Sequence, residues 1–321
     1  MSMSADLLLV VLAFVLGACL ARRSLCMVAA IREYVVERRL VGVYAQLIAL
    51  CAAGAVLTLL ATALPGVVQL PADRGVSLPV VVGAVILGAG ALVNGGCYLG
   101  SVLYLGRGRS EFLFTLVGIA AASRLAPASS WLSMQTGAAV RSLMGDPPYL
   151  ATGVFVLVAV VVAAALRGDR VGRRALIRAL LGAAITGTIA GLLYARHPHW
   201  SYGSVLDALA HADARAIDWV ANAAAAALFA GALTGSWLAG DWQLRRPSWL
   251  RSLRCLAGGA LMGVGAALIP GGNDLLVLWA VPGLTAYGIV AYATLVATIA
   301  LPMVVARRWP GIGPKPATPS G

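Results

Sequence analysis

Long apolar blocks separated by short arginine clusters constrain this chain more than any other feature. LVGVYAQLIALCAAGAVLTLLATAL (Leu40 to Leu64) and YLATGVFVLVAVVVAAAL (Tyr149 to Leu166) contain no charged residue. Each is long enough to cross a hydrocarbon core about 30 Å thick as a helix. The whole chain is 60% hydrophobic and 11% charged, where soluble domains carry about a quarter charged residues. The class that follows is an all-α integral membrane protein. Candidate spans fall near 7–21, 40–64, 78–106, 111–127, 149–166, 176–195, 217–239, 255–281 and 284–306, which makes about nine transmembrane helices.

A net charge of +12 invites a nucleic-acid reading, but the placement of the arginines argues against it. They cluster at Arg32 to Arg39, Arg107 to Arg109, Arg167 to Arg178, Arg245 to Arg254 and Arg307-Arg308, between apolar blocks. Putting all five clusters on the cytoplasmic side fits about nine spans with the N-terminus outside and the C-terminus inside. Nucleic acid is therefore excluded as a partner, and the bilayer is the first one expected. LLLVVLAFVLGAC (Leu7 to Cys19) resembles a secretory leader, but its positive charges follow the apolar run instead of preceding it. It reads as the first span. Five cysteines, mostly within apolar runs, do not suggest a disulfide framework.

The chain also resembles itself. GAVILGAGALVNGGC (Gly83 to Cys97) is similar to GGALMGVGAALIPGGN (Gly258 to Asn273). The two copies run in opposite directions in the topology above, as in transporters built from inverted repeats. The organisation expected is a first half over 1–148, a connecting span and loop over 149–175, a second half over 176–309 and a disordered tail over 310–321. Helix packing through small residues is the competing explanation for glycine-rich similarity. His197, His199 and His211 lie between two spans, in a segment expected to face outside. They read as a solvated loop, and no metal or other cofactor is expected.

Three motifs carry candidate chemistry. In the first, Asn94-Gly95-Gly96-Cys97 interrupts an apolar segment. Helix breaks at membrane depth persist only where protein or a water-lined cavity satisfies the freed backbone. The N–H groups at such a break, with the helix N-terminus that follows, make an anion-binding spot with Cys97 at its edge. The second, Pro270-Gly271-Gly272-Asn273-Asp274, repeats this logic with a proline to strengthen the break. Asn273 and Asp274 are costly in a membrane segment and so point to function, although Asp274 reads equally well as a cap for the helix LLVLWAV. The third is Arg22-Arg23-Ser24-Leu25-Cys26, where the apolar run before Arg23 is short for a full crossing. That shortness favours a hairpin dipping inward with Cys26 inside the protein. Cys19, Cys51 and Cys255 lack such framing and read as small core hydrophobes.

On these motifs the chain resembles the YeeE/YedE family of bacterial sulfur-transport membrane proteins, which includes thiosulfate transporters. The resemblance covers nearly the whole chain and is most specific at Asn94 to Gly100 with Leu105 to Gly108. It implies inverted halves whose re-entrant glycine-rich segments form an hourglass in the inner membrane. Cysteines along its waist would relay a small sulfur-containing anion by thiol hydrogen bonds, and a cytoplasmic sulfur carrier of the TusA type is an implied partner. The path residues expected are Cys97, Cys26, Asn273, Gly95, Gly96, Gly271, Gly272, Asn94, Asp274 and Arg23. Asn273 stands where the family pattern has a third cysteine. An amide is a stronger donor than a thiol, so a selenium analogue or another oxyanion belongs on the substrate list beside thiosulfate. No G-x-x-x-x-G-K-[ST] motif occurs, so this chain is not itself an ATP-driven motor. The rival readings are a membrane thiol redox or persulfide protein, which would need a resolving thiol nearby, and an accessory subunit whose glycines serve packing alone.

Overall fold

A computed structural model describes residues 3–22, 25–64, 68–71, 75–125, 149–165, 173–198, 200–211, 218–269 and 272–308. Arg23, His199, Pro270 and Gly271 lie outside the described residues, as do the expected tail and all of residues 126–148. Among the described residues every regular element is helical, and the one β-type contact is a parallel bridge between Arg109 and Arg245. The helices are α1 (Met3–Arg22), α2 (Met27–Arg32), α3 (Val41–Ala63), α4 (Leu78–Asn94), α5 (Tyr98–Gly106), α6 (Leu113–Leu125) and α7 (Tyr149–Ala165). They continue with α8 (Arg173–Arg196), α9 (Tyr202–His211), α10 (Trp219–Leu238), α11 (Trp249–Leu268), α12 (Asn273–Leu275) and α13 (Ala286–Arg308). Wider π-helical turns extend α2 over Glu33–Glu37 and α12 over Leu276–Ala280.

Among the described residues six segments are long and apolar enough to cross a bilayer: Asp6–Glu37, Val41–Ala63, Leu78–Gly106, Leu176–Arg196, Trp219–Leu238 and Ala286–Arg308. Trp249–Leu268 with Asn273–Ala280, bent by 59°, makes a seventh if the pair is one crossing. The crossings expected at 111–127 and 149–166 fall on α6 and α7, of which 13 and 17 residues are described. Length and composition thus give six or seven candidate spans among the described residues. The protein is a multi-pass membrane protein.

Without a hydrophobic driving force between helices in lipid, small residues set the packing. α1 lies along α10, α3 along α8, and α11 along both α4 and α6, while α13 covers the other side of α4. Gly231 on α10 meets the Phe14 carbonyl of α1 so closely that a Cβ there would overlap it. Leucine, phenylalanine and valine side chains line the outward helix faces, including Leu157, Phe114 and Val117, and remain exposed to what surrounds the bundle. The buried centre holds α5, α12 and the start of α2, with Cys26, Cys97, Tyr98, Leu276 and Tyr287 packed into one continuous core.

A candidate anion path around the helix break at Cys97

α4 ends where the sequence suggests. Gly95 adopts φ 75°, in the left-handed region. Gly96 N–H donates to Ala91 O at 3.1 Å and Gly95 N–H to Leu92 O at 3.3 Å, the paired bonds of a Schellman C-terminus. Two residues later Cys97 is the N-cap of α5, with extended backbone. Its carbonyl accepts the first helical bond, from Ser101 N–H at 2.8 Å, so the first N–H groups of α5 have no partner within their own helix.

Asn94 braces this break from within. Its Nδ2 donates to Gly96 O at 2.7 Å and to Ser101 Oγ at 3.3 Å, and its Oδ1 accepts from Thr115 Oγ1 of α6 at 2.7 Å. Sequence reasoning groups Asn94 with the path residues; in the structure its amide is fully engaged in holding the break open. Ser101 and Thr115 belong to the same brace, and Ser101 Oγ also donates to Cys97 O at 3.1 Å.

Cys26 is the N-cap of α2 and, like Cys97, is 1% exposed. The Cys97 thiol points at Cys26 Sγ from 3.9 Å, although 71 residues separate the two in sequence. Gln46 on α3 fixes the approach of this loop, because its buried Nε2 donates to Leu25 O at 3.1 Å. Gln46 is missed by motif reasoning; the available signal is an amide in an otherwise apolar span, a residue type that is expensive there without a partner. All five cysteines are free thiols, and Cys51 packs against Phe155 away from this pair.

The second motif meets the first through Tyr98. Gly272 is the N-cap of α12, and its Cα faces the Tyr98 ring. Tyr202, at the start of α9, donates its hydroxyl to Tyr98 O at 3.0 Å, with the two rings 5.4 Å apart. Asn273 is 1% exposed, yet neither Nδ2 nor Oδ1 has a hydrogen-bond partner. Asp274 is likewise buried; Oδ2 accepts from Ser201 Oγ at 2.8 Å, while Oδ1 has no partner. Its carboxyl also faces the backbone N–H groups of Asp274 and Leu275 at the start of α12. Ser201, Tyr98 and Tyr202 carry no sequence signal that would have singled them out.

Cavities open at both ends of α5. One, of about 260 Å³, is lined by Tyr98, Ser123, Ser201, Ser204, Asp207 and Gly272 among others. The other, of about 390 Å³, is lined by Tyr104, Arg107, Arg109, Gly240, Asp241, Gln243 and Arg245. Neither lining includes Cys26, Cys97 or Asn273; the two thiols are buried between the cavities' α5 ends. In the basic cavity Arg109 is held by Glu111 at 3.0 Å and lies over the Tyr104 ring at 4.7 Å. Arg107 pairs with Asp241 at 3.7 Å. The strand-like contact joining these loops has Gln243 N–H donating to Arg107 O and Arg245 N–H to Gly108 O.

Chemically, two buried thiols and the unpartnered Asn273 amide are groups able to donate hydrogen bonds to a small anion, the thiols with a soft sulfur surface. Among the described residues no cluster of histidine, cysteine or carboxylate side chains could hold a metal ion. Compared with known families, the chain matches the one described as sulphur transport over residues 22–301. No curated protein matches it.

Proposed function

The chain belongs to the sulphur transport family, and from that premise we propose that it carries a small thiosulfate-like anion inward across a bacterial inner membrane. The observation that carries this reading is the Cys97–Cys26 pair, 3.9 Å apart, at the head of a helix with a cavity at either end. The anion leaves water in the Tyr98 cavity and passes the constriction by exchanging hydration for the Asn273 amide, the two thiols and the first N–H groups of α5. It emerges among Arg107, Arg109 and Arg245, whose charge favours anions. Gly95, Gly96 and Gly272 serve by freeing backbone and space rather than by side-chain chemistry. Gly271 and Arg23 belong to the same motifs.

The inverted-repeat arrangement, with halves at 1–148 and 176–309 around a connecting span, is supported by the packing pairs. Exchanging the halves turns the α1–α10 contact into α8–α3, and α11–α6 into α4–α13, and all four are present. The orientation with basic loops in the cytoplasm is supported by their meeting in pairs: Arg307 donates to Val35 O, and Arg245 bridges to Arg109. That orientation puts the C-terminus and the arginine cavity inside, where a TusA-like carrier would collect the cargo.

The closeness of the two thiols also favours a second reading, a membrane thiol protein that forms a persulfide at Cys97. One experiment separates them. Purified protein in liposomes is offered ³⁵S-thiosulfate, with selenium analogues as competitors, and both internal label and protein-bound label are counted. Transport predicts label inside the liposomes and none covalently attached. Label retained on Cys97 with none delivered sinks the transport reading.

A further inference from the structure

The cavity at Tyr98 is wrong for an anion as it stands. Among the described residues its lining has no lysine or arginine, while it carries Asp207. Immediately behind the lining is a second carboxyl, Asp274: its partner Ser201 and its chain neighbours Gly272 and Leu275 all line the cavity. Asp274 is 3% exposed, and among the described residues no basic side chain forms an ion pair with it. The titratable groups facing it are the phenols Tyr98 of α5, Tyr194 of α8 and Tyr202 of α9. Farther out, Asp207 is paired with His211 at 3.5 Å, and Arg124 donates to His211 O at the exposed rim. His197, in the turn leading to Ser201, accepts from Trp200 N–H through its carbonyl at 3.2 Å.

A buried carboxylate without a cation is strongly disfavoured, and here it would also repel the cargo. A carboxylic acid in the same place is a donor, and its unpartnered Oδ1 is the atom left to make a bond. Resting on the transport reading above, we propose that Asp274 is a proton-operated gate, which admits the anion to the constriction only when its carboxyl is protonated. The step is an acid–base one: the carboxylate takes a proton from water in the Tyr98 cavity, and Oδ1–H donates to the arriving anion. The proton returns to that water when the anion has moved on to Cys97. No electron changes hands and no covalent bond to the cargo forms. Ser201, donating to Oδ2 at 2.8 Å, holds the carboxyl in place and is a positioning residue.

The test is ³⁵S-thiosulfate uptake into liposomes of fixed internal pH, with the pH on the Tyr98-cavity side varied. Thiosulfate takes up no proton over the range used, so the profile reports the protein. Wild type is expected to gain about tenfold in initial rate from about pH 8 to about pH 5. Asp274→Asn, neutral at every pH and still a donor, is expected to run near the wild-type acid rate throughout, about tenfold above wild type at about pH 8. Asp274→Glu and Ser201→Ala are expected to keep a pH-dependent rate with a displaced midpoint. The gate is overturned if folded Asp274→Asn keeps the wild-type profile or carries nothing. It is overturned as well if wild type transports well with a flat profile, which leaves the transport reading standing. Wild type that carries neither thiosulfate nor selenium analogues at any pH removes the transport reading and the gate with it.

Discussion

Gly100 on α5 faces Cys26 so directly that a Cβ added there would stand 2.5 Å from Cys26 Sγ and 3.8 Å from Cys97 Sγ. One glycine therefore makes room for the thiol pair. Gly100→Ala must push Cys26 aside, and overpacking of this kind costs about 1 to 3 kcal/mol. Thiosulfate uptake is expected to fall about tenfold or more while the protein still elutes as a folded species in detergent. Unchanged uptake would mean that the pair's spacing is irrelevant to transport.

Replacing the thiols themselves separates donor strength from softness. Cys97→Ala removes the donor and is expected to abolish uptake in cells that lack other sulfur importers. Cys97→Ser keeps a hydroxyl donor and is expected to retain part of it, with selectivity moved from thiosulfate toward sulfate and sulfite. Growth on each anion as sole sulfur source reads the outcome.

Asn273 allows the converse experiment. Its amide is buried with no partner, and an unmade buried hydrogen bond of this kind costs about 1 to 3 kcal/mol. Asn273→Leu is therefore expected to raise thermal stability or leave it unchanged while blocking uptake. Asn273→Cys is expected to restore uptake with stronger discrimination for thiosulfate over oxyanions. A large loss of stability in Asn273→Leu would argue that the amide serves the fold.

The brace at Asn94 should behave in the opposite way. Three hydrogen bonds end on its amide, so Asn94→Leu strands Thr115 and Gly96 O. The expected loss is about 2 to 4 kcal/mol, read as a drop in melting temperature in detergent, and uptake is lost along with the fold. Thr115→Val, which removes one bond, is expected to lose about a third to a half as much.

Packing through glycine gives a contrast independent of transport. Gly231→Leu must separate α1 from α10 and is expected to prevent accumulation of folded protein. Gly153 on α7 has open space where a Cβ would go. Gly153→Ala is expected to stabilise slightly, by up to about 1 kcal/mol, through helix propensity.

The break at Gly95-Gly96-Cys97 and the burial of Cys26 were readable from sequence because glycine, thiol and apolar context occur together within a few residues. The role of Asn94 was not. Whether an amide lines a path or braces a loop depends on Thr115 and Ser101, which join it only in the folded chain. Ser201 illustrates the same limit: its partner Asp274 lies 73 residues away, and an isolated serine before a short helix gives no warning of that contact. Gln46 could have been found, because an amide in the middle of α3 had to be satisfied by something.

The two cavities have an electrical consequence. On the proposed transport path, water filling them would bring the bulk solutions to either end of α5, a helix of nine residues and so about 14 Å long. The membrane voltage would then fall mainly across this short septum instead of the full bilayer thickness. An anion crossing it would meet nearly the whole potential in one step, about 2.3 kcal/mol per charge for every 100 mV. With the interior negative, that step would oppose uptake of a dianion, and the local field at Cys97 would set the steepest part of the journey.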